Sequence, residues 1–272
     1  MIAPACQRWR GGRDSYRPAR EVIDTRRYEV APIATDREAR AFVEAHHYSG
    51  SYPAARARFG LYRRGGELAG VAVVSHPMRE GVLSCLPGRG LERAELGRFV
   101  LLDGVEANGE TWFLARVFEL LRRSGFVALV SHSDPCPRTS AAGAVVFGGH
   151  VGTIYQAHNA AYLGRATPRT QRVLPDGTVL SARALSKVRA GERGRRYAAE
   201  LLERHGAWPL GAAGVVDPAQ WLRLWVPWVT RPLRNPGPHR YAWGLTGAAK
   251  KHLPSSLPYP KLAPPPAEAR AA

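Results

Sequence analysis

Apolar and polar residues alternate from Ala57 to Tyr62, and apolar residues dominate Leu68 to Ser75, with Arg63-Arg-Gly-Gly-Glu67 between them. Two strand-period runs joined by a glycine turn predict a β-hairpin. Upstream, Tyr28 to Ile33 has strand character, and Thr35-Asp-Arg-Glu38 carries a capping-box pattern before Ala39, Phe42 and Val43. A helix is expected there, running out at His46-His47-Tyr48. Glu95 to Leu102 predicts another strand. Asn108 is placed to cap a helix from about Glu110 to Arg123, where Trp112, Ala115, Val117, Leu120 and Leu121 recur at helical spacing. Phe126-Val-Ala-Leu-Val130 is a short unbroken apolar run, which reads as a strand buried on both faces.

That run ends in Ser131-His-Ser-Asp-Pro-Cys-Pro-Arg138. Polar residues then sit at the carboxyl end of a strand, where open α/β sheets hold their ligands. After a glycine-rich turn, Val151 to Ala157 is expected as a neighbouring strand, which would bring Tyr155 to the same cleft as Asp134 and His150. The order of elements gives a mixed α/β (α+β) layer rather than a doubly wound repeat. Further on, Val173 to Val179 reads as a hairpin around an Asp-Gly turn. A helix from Ser181, interrupted near Gly191 and Gly194, ends at His205-Gly206, and Asp217-Pro218 opens another with Trp221 and Trp225. Arg234 to Trp243 reads as an aromatic-rich loop. The expected organisation is a basic arm over 1–27, a catalytic domain over 28–170, a basic helical extension over 171–252 and a disordered Pro/Ala-rich tail over 253–272.

Composition sharpens the choice of partner. The chain has 272 residues, 45% of them hydrophobic, enough for a sizeable core. Its formal net charge is +17, which suits a polyanion, because neutralising phosphates releases counterions. Arginine supplies almost all of that charge, so a coding bias is the competing explanation. Three cysteines, Cys6, Cys85 and Cys136, show no metal-site spacing and fit a reducing compartment. No apolar run reaches transmembrane length and no signal-peptide core is present, so a cytoplasmic protein is expected.

Taken together, several motifs resemble the Mom family of phage DNA-modifying proteins. They are His46-His-Tyr-Ser49, Phe59-Gly-Leu61, Gly70-Val71, Glu95-Leu-Gly-Arg98, Ser131-His-Ser-Asp134, Gly149-His-Val-Gly-Thr-Ile-Tyr-Gln-Ala157 and His239-Arg-Tyr-Ala-Trp243. The resemblance implies a divergent GNAT-like acyltransferase fold, a mixed central sheet flanked by helices. It also implies double-stranded DNA as substrate, transfer of a carbamoylmethyl-like group to the N6 amine of adenine, protection against restriction, and a host cytoplasm as the setting. Acetyl-CoA or a related acyl donor is the implied cofactor, with room for a bound Fe2+. One departure is plain: Leu102-Asp-Gly-Val-Glu-Ala-Asn-Gly109 lacks the usual GNAT pyrophosphate pattern and contains two acids.

The candidate catalytic residues are Tyr155, Asp134, His47, Glu95 and Ser131. Tyr155 suits a general acid toward a leaving thiolate, against a packed tyrosine with a satisfied hydroxyl. Asp134 suits orientation of an amine or a metal, against a simple Asp-Pro turn. Glu95 suits a general base. At i and i+3 on a regular strand, Glu95 and Arg98 would face opposite sides. His47, His150 and Asp134 form the candidate metal set. The GNAT resemblance implies that Phe99, Val100 and Leu101 offer backbone to a pantetheine arm, against plain core strand, and that any pyrophosphate relies on Asn108, Gly109 and Thr111 at the start of a helix. Arg98, Arg138, Arg165, Arg169, Arg234, Arg240 and Tyr241 are the candidate nucleic-acid contacts. Among the tryptophans, Trp221 and Trp225 are read as core, with Trp228 and Trp243 left open. The rivals are an N-acetyltransferase acting on a small amine, a protein lysine or another base, and a non-catalytic nucleic-acid-binding protein.

Overall fold

The computed structural model describes residues 21–211 and 217–261, together with the backbone of Arg8–Arg10 and Arg13–Ser15. In chain order the elements are β1 (Arg8–Arg10), β2 (Arg13–Ser15), β3 (Tyr28–Pro32), α1 (Asp36–His46), β4 (Ala55–Arg63) and β5 (Leu68–Ser75). Then come β6 (Arg93–Leu101), α2 (Gly109–Arg123), β7 (Ala128–Ser133), β8 (Arg138–Thr139), β9 (Val145–Phe147), α3 (Thr153–Ala157) and β10 (Ala161–Arg165). The chain continues through β11 (Arg169–Val173), β12 (Val179–Leu180), α4 (Ala182–Arg189), α5 (Arg195–Glu203) and α6 (Pro218–Val229). It closes with β13 (Arg231–Asn235), β14 (His239–Gly244) and α7 (Gly247–Lys251). No helix among the described residues is long and apolar enough to cross a membrane.

The chain divides into two compact units. The first comprises Met1–Pro135, Gly149–Ala166 and Pro238–Ala272. Its seven-stranded sheet runs in the order β10-β14-β7-β6-β5-β4-β3. Every neighbouring pair is antiparallel except β6 and β7, which are parallel and joined through α2. A mixed α/β sheet flanked by helices is therefore observed, as the element order indicated. Helix α2 buries Phe113, Leu114, Val117 and Leu121 against one face, beside Leu61, Leu96 and Leu129. Helix α1 covers the other face, packing Ala39, Phe42 and Val43 on Val71 and Val73. It starts after Thr35 as expected, although the Thr35 side chain makes no capping bond.

Three expectations about this unit need correction. Residues 151–157 are not a strand: Gly152, at φ +77°, starts the short helix α3. A Cβ at Gly152 would stand 2.7 Å from the Tyr241 ring, so only glycine fits this turn. The strand beside β7 is instead β14, drawn from the stretch expected as an aromatic loop. The described part of the C-terminal tail is tied down as well. Leu257 N–H donates to the Tyr162 carbonyl at 2.9 Å, and the Tyr259 hydroxyl donates to the Ala160 carbonyl at 2.8 Å. Most of the expected basic arm, residues 1–20, lies outside the described side chains.

The second unit comprises Cys136–Gly148 and Thr167–Gly237, so the expected boundary at 170 and 171 is not where the units part. A three-stranded sheet, β12-β11-β13, accompanies the β8–β9 pair and helices α4 to α6. Its core gathers Leu174, Leu180, Val188, Leu202, Trp221, Leu222 and Val226. Helix α6 begins as its sequence dictates. The Asp217 carboxylate accepts from Ala219 N–H at 2.9 Å and Gln220 N–H at 3.1 Å, and Pro218 occupies the first turn, where no N–H is required.

Candidate functional site

The parallel pair β6–β7 opens into a fork. Its ladder joins Arg93, Ala94 and Glu95 to Ala128, Leu129 and Val130. Beyond that, β6 continues against β5 to Leu101, while β7 continues against β14 to Ser133. Two strands bound to different partners diverge, and the Ser131 hydroxyl bridges the base of the gap by donating to the Leu96 carbonyl at 2.9 Å. Polar side chains at these strand ends can therefore face a shared cleft, the position open sheets use for ligands.

A bulge decides which residues share a face there. Ser75 pairs with Glu95 and Val74 with Leu96, yet Val73 pairs with Arg98. Gly97 is the extra residue, and a bulge of this kind resets the alternation of side chains. Glu95 and Arg98, expected on opposite sides of a regular strand, consequently point to the same side. A side chain at Gly97 would run into the Ser75 hydroxyl and lie 3.3 Å from Pro53 Cγ.

The Glu95 carboxylate meets His132 Nδ1 at 3.0 Å, with both side chains about one-fifth exposed (21% each). Arg98 is held by Ser51: Nε donates to the Ser51 carbonyl and a terminal nitrogen to its hydroxyl, both at 2.8 Å. Burial pulls its guanidinium pKa down from the usual range, though arginine remains a cation at any physiological pH. Tyr155, buried on α3, lies between the rings of Tyr241 and Trp243 at 5.4 and 5.3 Å. Burial raises its hydroxyl pKa, and Ser131, Glu95 and Arg98 are near enough to act on that hydroxyl. Tyr155 and Ser131 thus come together from a helix and a strand, where two strands were expected.

His47 closes α1 beside this group. Its Nδ1 accepts from Ser49 N–H at 3.1 Å, which places the proton of the neutral ring on Nε2. Burial first, then the charges of Arg98 and His150, push its pKa well below the ordinary histidine value. The Tyr48 ring stacks on His47 at 4.2 Å, and its hydroxyl lies 3.4 Å from His150 Nε2. His150 N–H donates to the Asp134 carbonyl at 2.9 Å, so Asp134 and His150 are neighbours through their backbones. The expected metal set of His47, His150 and Asp134 does not assemble. Among the described residues no three His, Cys, Asp or Glu side chains are grouped to hold an ion, and His47 Nδ1 is turned into its own loop.

Phe99, Val100 and Leu101 lie on β6 past its last pair with β7, and the Phe99 ring packs 5.5 Å from Phe113. The start of α2 is already occupied from within. Ala107 N–H donates to the Glu21 carboxylate at 2.8 Å, the Thr111 hydroxyl donates to the Asn108 carbonyl at 3.1 Å, and Glu110 is buried in the first turn. Asn108 takes the left-handed conformation at φ +65°, and a Cβ at Gly109 would stand 2.6 Å from Val105 Cγ1.

The candidate nucleic-acid residues separate by exposure. Arg165 is exposed in the first unit, and Arg169 and Arg234 are exposed in the second. Arg138 is buried with its guanidinium 4.3 Å from the Phe147 centroid. Arg240 is half-buried and donates to the Leu163 carbonyl at 3.0 Å. Tyr241 is fully buried, its hydroxyl bonded to the Val151 carbonyl. Arg138 and Tyr241 are packing residues, because pairing within a sheet removed them from the surfaces expected for them. His132 was passed over in the sequence. Its partner lies 37 residues away, and only its place in Ser131-His-Ser-Asp134 pointed to it.

No curated protein matches this chain. Among solved structures, a tandem GNAT protein from the clavulanic acid biosynthesis pathway, without AcCoA, is 11% identical with a TM-score of 0.42. That alignment covers 80% of this chain and 99% of the other. A Bacillus subtilis acetyltransferase in complex with CoA is 10% identical with a TM-score of 0.33, covering 81% and 99%. The model of the Mom protein family matches residues 27–210, well over half the sequence and including the whole of the β6–β7 fork. On that match, the chain belongs to the Mom protein family.

Proposed function

We propose that this protein is a DNA-modifying transferase that moves an acyl-derived, carbamoylmethyl-like group onto the exocyclic N6 amine of adenine, making the DNA resistant to restriction. The observation that carries this reading is the polar fork between β6 and β7, where Glu95, Arg98, Ser131, His132 and Tyr155 meet, in a chain whose family motifs resemble those of DNA-modifying proteins.

The lone pair of an adenine amine is delocalised into the ring, so attack requires removal of a proton. The Glu95–His132 pair suits that step. With Nδ1–H donated to the carboxylate, Nε2 is left as a proton acceptor, and the carboxylate stabilises the imidazolium that forms. Tyr155, kept protonated by burial, is suited to deliver a proton to the departing group. Arg98, fixed by Ser51, holds positive charge beside the same gap. An acyl thioester would supply an activated carbonyl carbon: the amine nitrogen bonds to it, the thiolate leaves, and the direct product is an N6-acyl adenine. A carbamoylmethyl group is instead bonded through its methylene and requires a different C–N bond-forming step. The free edge of β6 at Phe99, Val100 and Leu101 fits a pantetheine arm. The turn into α2 fits a diphosphate poorly, because Glu21 and Asn108 use its donors and Glu110 adds a buried acid. The donor is therefore held chiefly along β6. Among the described residues no ligand set for iron assembles.

The test is mass analysis of nucleosides from plasmid DNA grown with the protein. A deoxyadenosine of raised mass is expected. Unmodified nucleosides throughout, with soluble protein present, overturn the proposal, and acetylation of a small amine in their place favours the acetyltransferase rival.

A further inference from the structure

We infer that the outer face of α6 is an apolar wedge that binds duplex DNA at a base step, flanked by arginines that hold phosphates. The inference rests on the DNA reading above and extends it to the second unit. Helix α6 turns Trp221, Leu222, Val226 and Val229 inward. Its opposite side carries Leu224, Pro227 and Trp228, and Leu224 is 63% and Trp228 81% exposed. Of the four tryptophans weighed in the sequence, Trp221 and Trp243 are buried and Trp225 half-buried, so Trp228 alone of these stands in solvent. Leu224, Pro227 and Trp228, at i, i+3 and i+4, are neighbours on one helix face, and a contiguous exposed apolar patch, unlike a single exposed side chain, marks a site of contact.

Charge identifies the occupant. The second unit carries thirteen Lys and Arg against five Asp and Glu. From Pro218 to Gly237 the chain contains no acid, while Arg223, Arg231 and Arg234 are all exposed. An apolar ridge among exposed arginines, of which Arg223 has only a long, solvent-exposed ion pair with Asp217 at 3.9 Å, matches a ligand with phosphates outside and flat apolar faces inside. Proteins that wedge leucine, proline or aromatic residues between base pairs have this composition. An enzyme acting on a base must also pay for unstacking it, and a wedge lowers that cost.

The experiment uses the full chain and a fluorescein-labelled duplex, reading anisotropy over a salt series, with donor and acceptor dyes at the two ends to report bending. Trp228→Ala is expected to weaken binding about tenfold and to reduce bending, with the salt slope unchanged, since no phosphate contact is lost. Trp228→Phe should keep most of the affinity, and Arg223→Gln should lower the salt slope by about one. Both outer side chains are exposed, so melting temperatures should match the unsubstituted protein. Unchanged affinity and bending in Trp228→Ala, with wild-type protein that still binds and modifies DNA, overturns the wedge alone. Wild-type protein without salt-dependent DNA binding overturns the DNA reading itself. Loss of dimerisation, or of binding to phosphatidylserine vesicles, in Trp228→Ala with DNA affinity intact assigns the ridge to another occupant and overturns the inference.

Discussion

Gly97→Ala tests the geometry on which the candidate site depends. The added methyl would collide with the Ser75 hydroxyl and stand 3.2 Å from Ser75 Cβ and 3.3 Å from Pro53 Cγ. Ser75 is buried at 1% exposure, so the hydroxyl has little room to swing away. Overpacking of this kind costs about 1–3 kcal/mol. For a protein of this size that is roughly 2–12 °C in melting temperature. The same change presses on the bulge that brings Glu95 and Arg98 to one side, so any transferase activity should fall with stability. Calorimetry of Gly97→Ala, Ser75→Ala and the double variant separates the terms. The double variant should recover most of the loss, because the closest contact disappears with the hydroxyl. A Gly97→Ala protein that melts and works like the parent refutes the bulge argument, and so does a double variant no more stable than Gly97→Ala.

Other outcomes follow from particular contacts. Glu95→Gln and His132→Asn should each lower nucleoside modification by about a hundredfold or more while leaving DNA affinity and melting temperature near parental values, as the loss of a general base does. Equal losses of affinity or stability would assign the pair a structural role. The depressed pKa of His47 makes the unfolded chain the better proton binder. Its contribution to stability is therefore present above the unfolded value near 6.5 and is lost as pH falls below it, with a slope of up to about 1.4 kcal/mol per pH unit for one group. His158 and His239 shift in the same direction, so His47→Gln should flatten the urea-denaturation profile between pH 6.5 and 5 without abolishing its slope. Asp217→Ala removes the cap of α6 and should cost about 1 kcal/mol, read from urea denaturation, while Asp217→Asn should cost less.

Local patterns carried much of the architecture. The β4–β5 hairpin, α1, α2 and the start of α6 are legible because periodicity and turn or capping residues act within a few positions of the chain. Tyr155, Ser131 and Glu95 were also legible as candidates, since polar residues ending apolar runs stand out. What pairs with what is another matter. The stretch from 239 to 244 looks like a loop because prolines and glycine surround it, yet it becomes a central strand once β7 and β10, each more than 70 residues earlier in sequence, hydrogen-bond to its two edges. The helix of Tyr155 was hidden in seven residues whose alternation suits a strand equally well, and the close packing of Gly152 on Tyr241 decided it. The common orientation of Glu95 and Arg98 came from one unpaired glycine lodged against a serine on the next strand, and the Glu95–His132 contact spans 37 residues. Propensity is written along the chain, whereas register, bulges and charge pairs arise only when distant segments compete for the same hydrogen bonds and the same space.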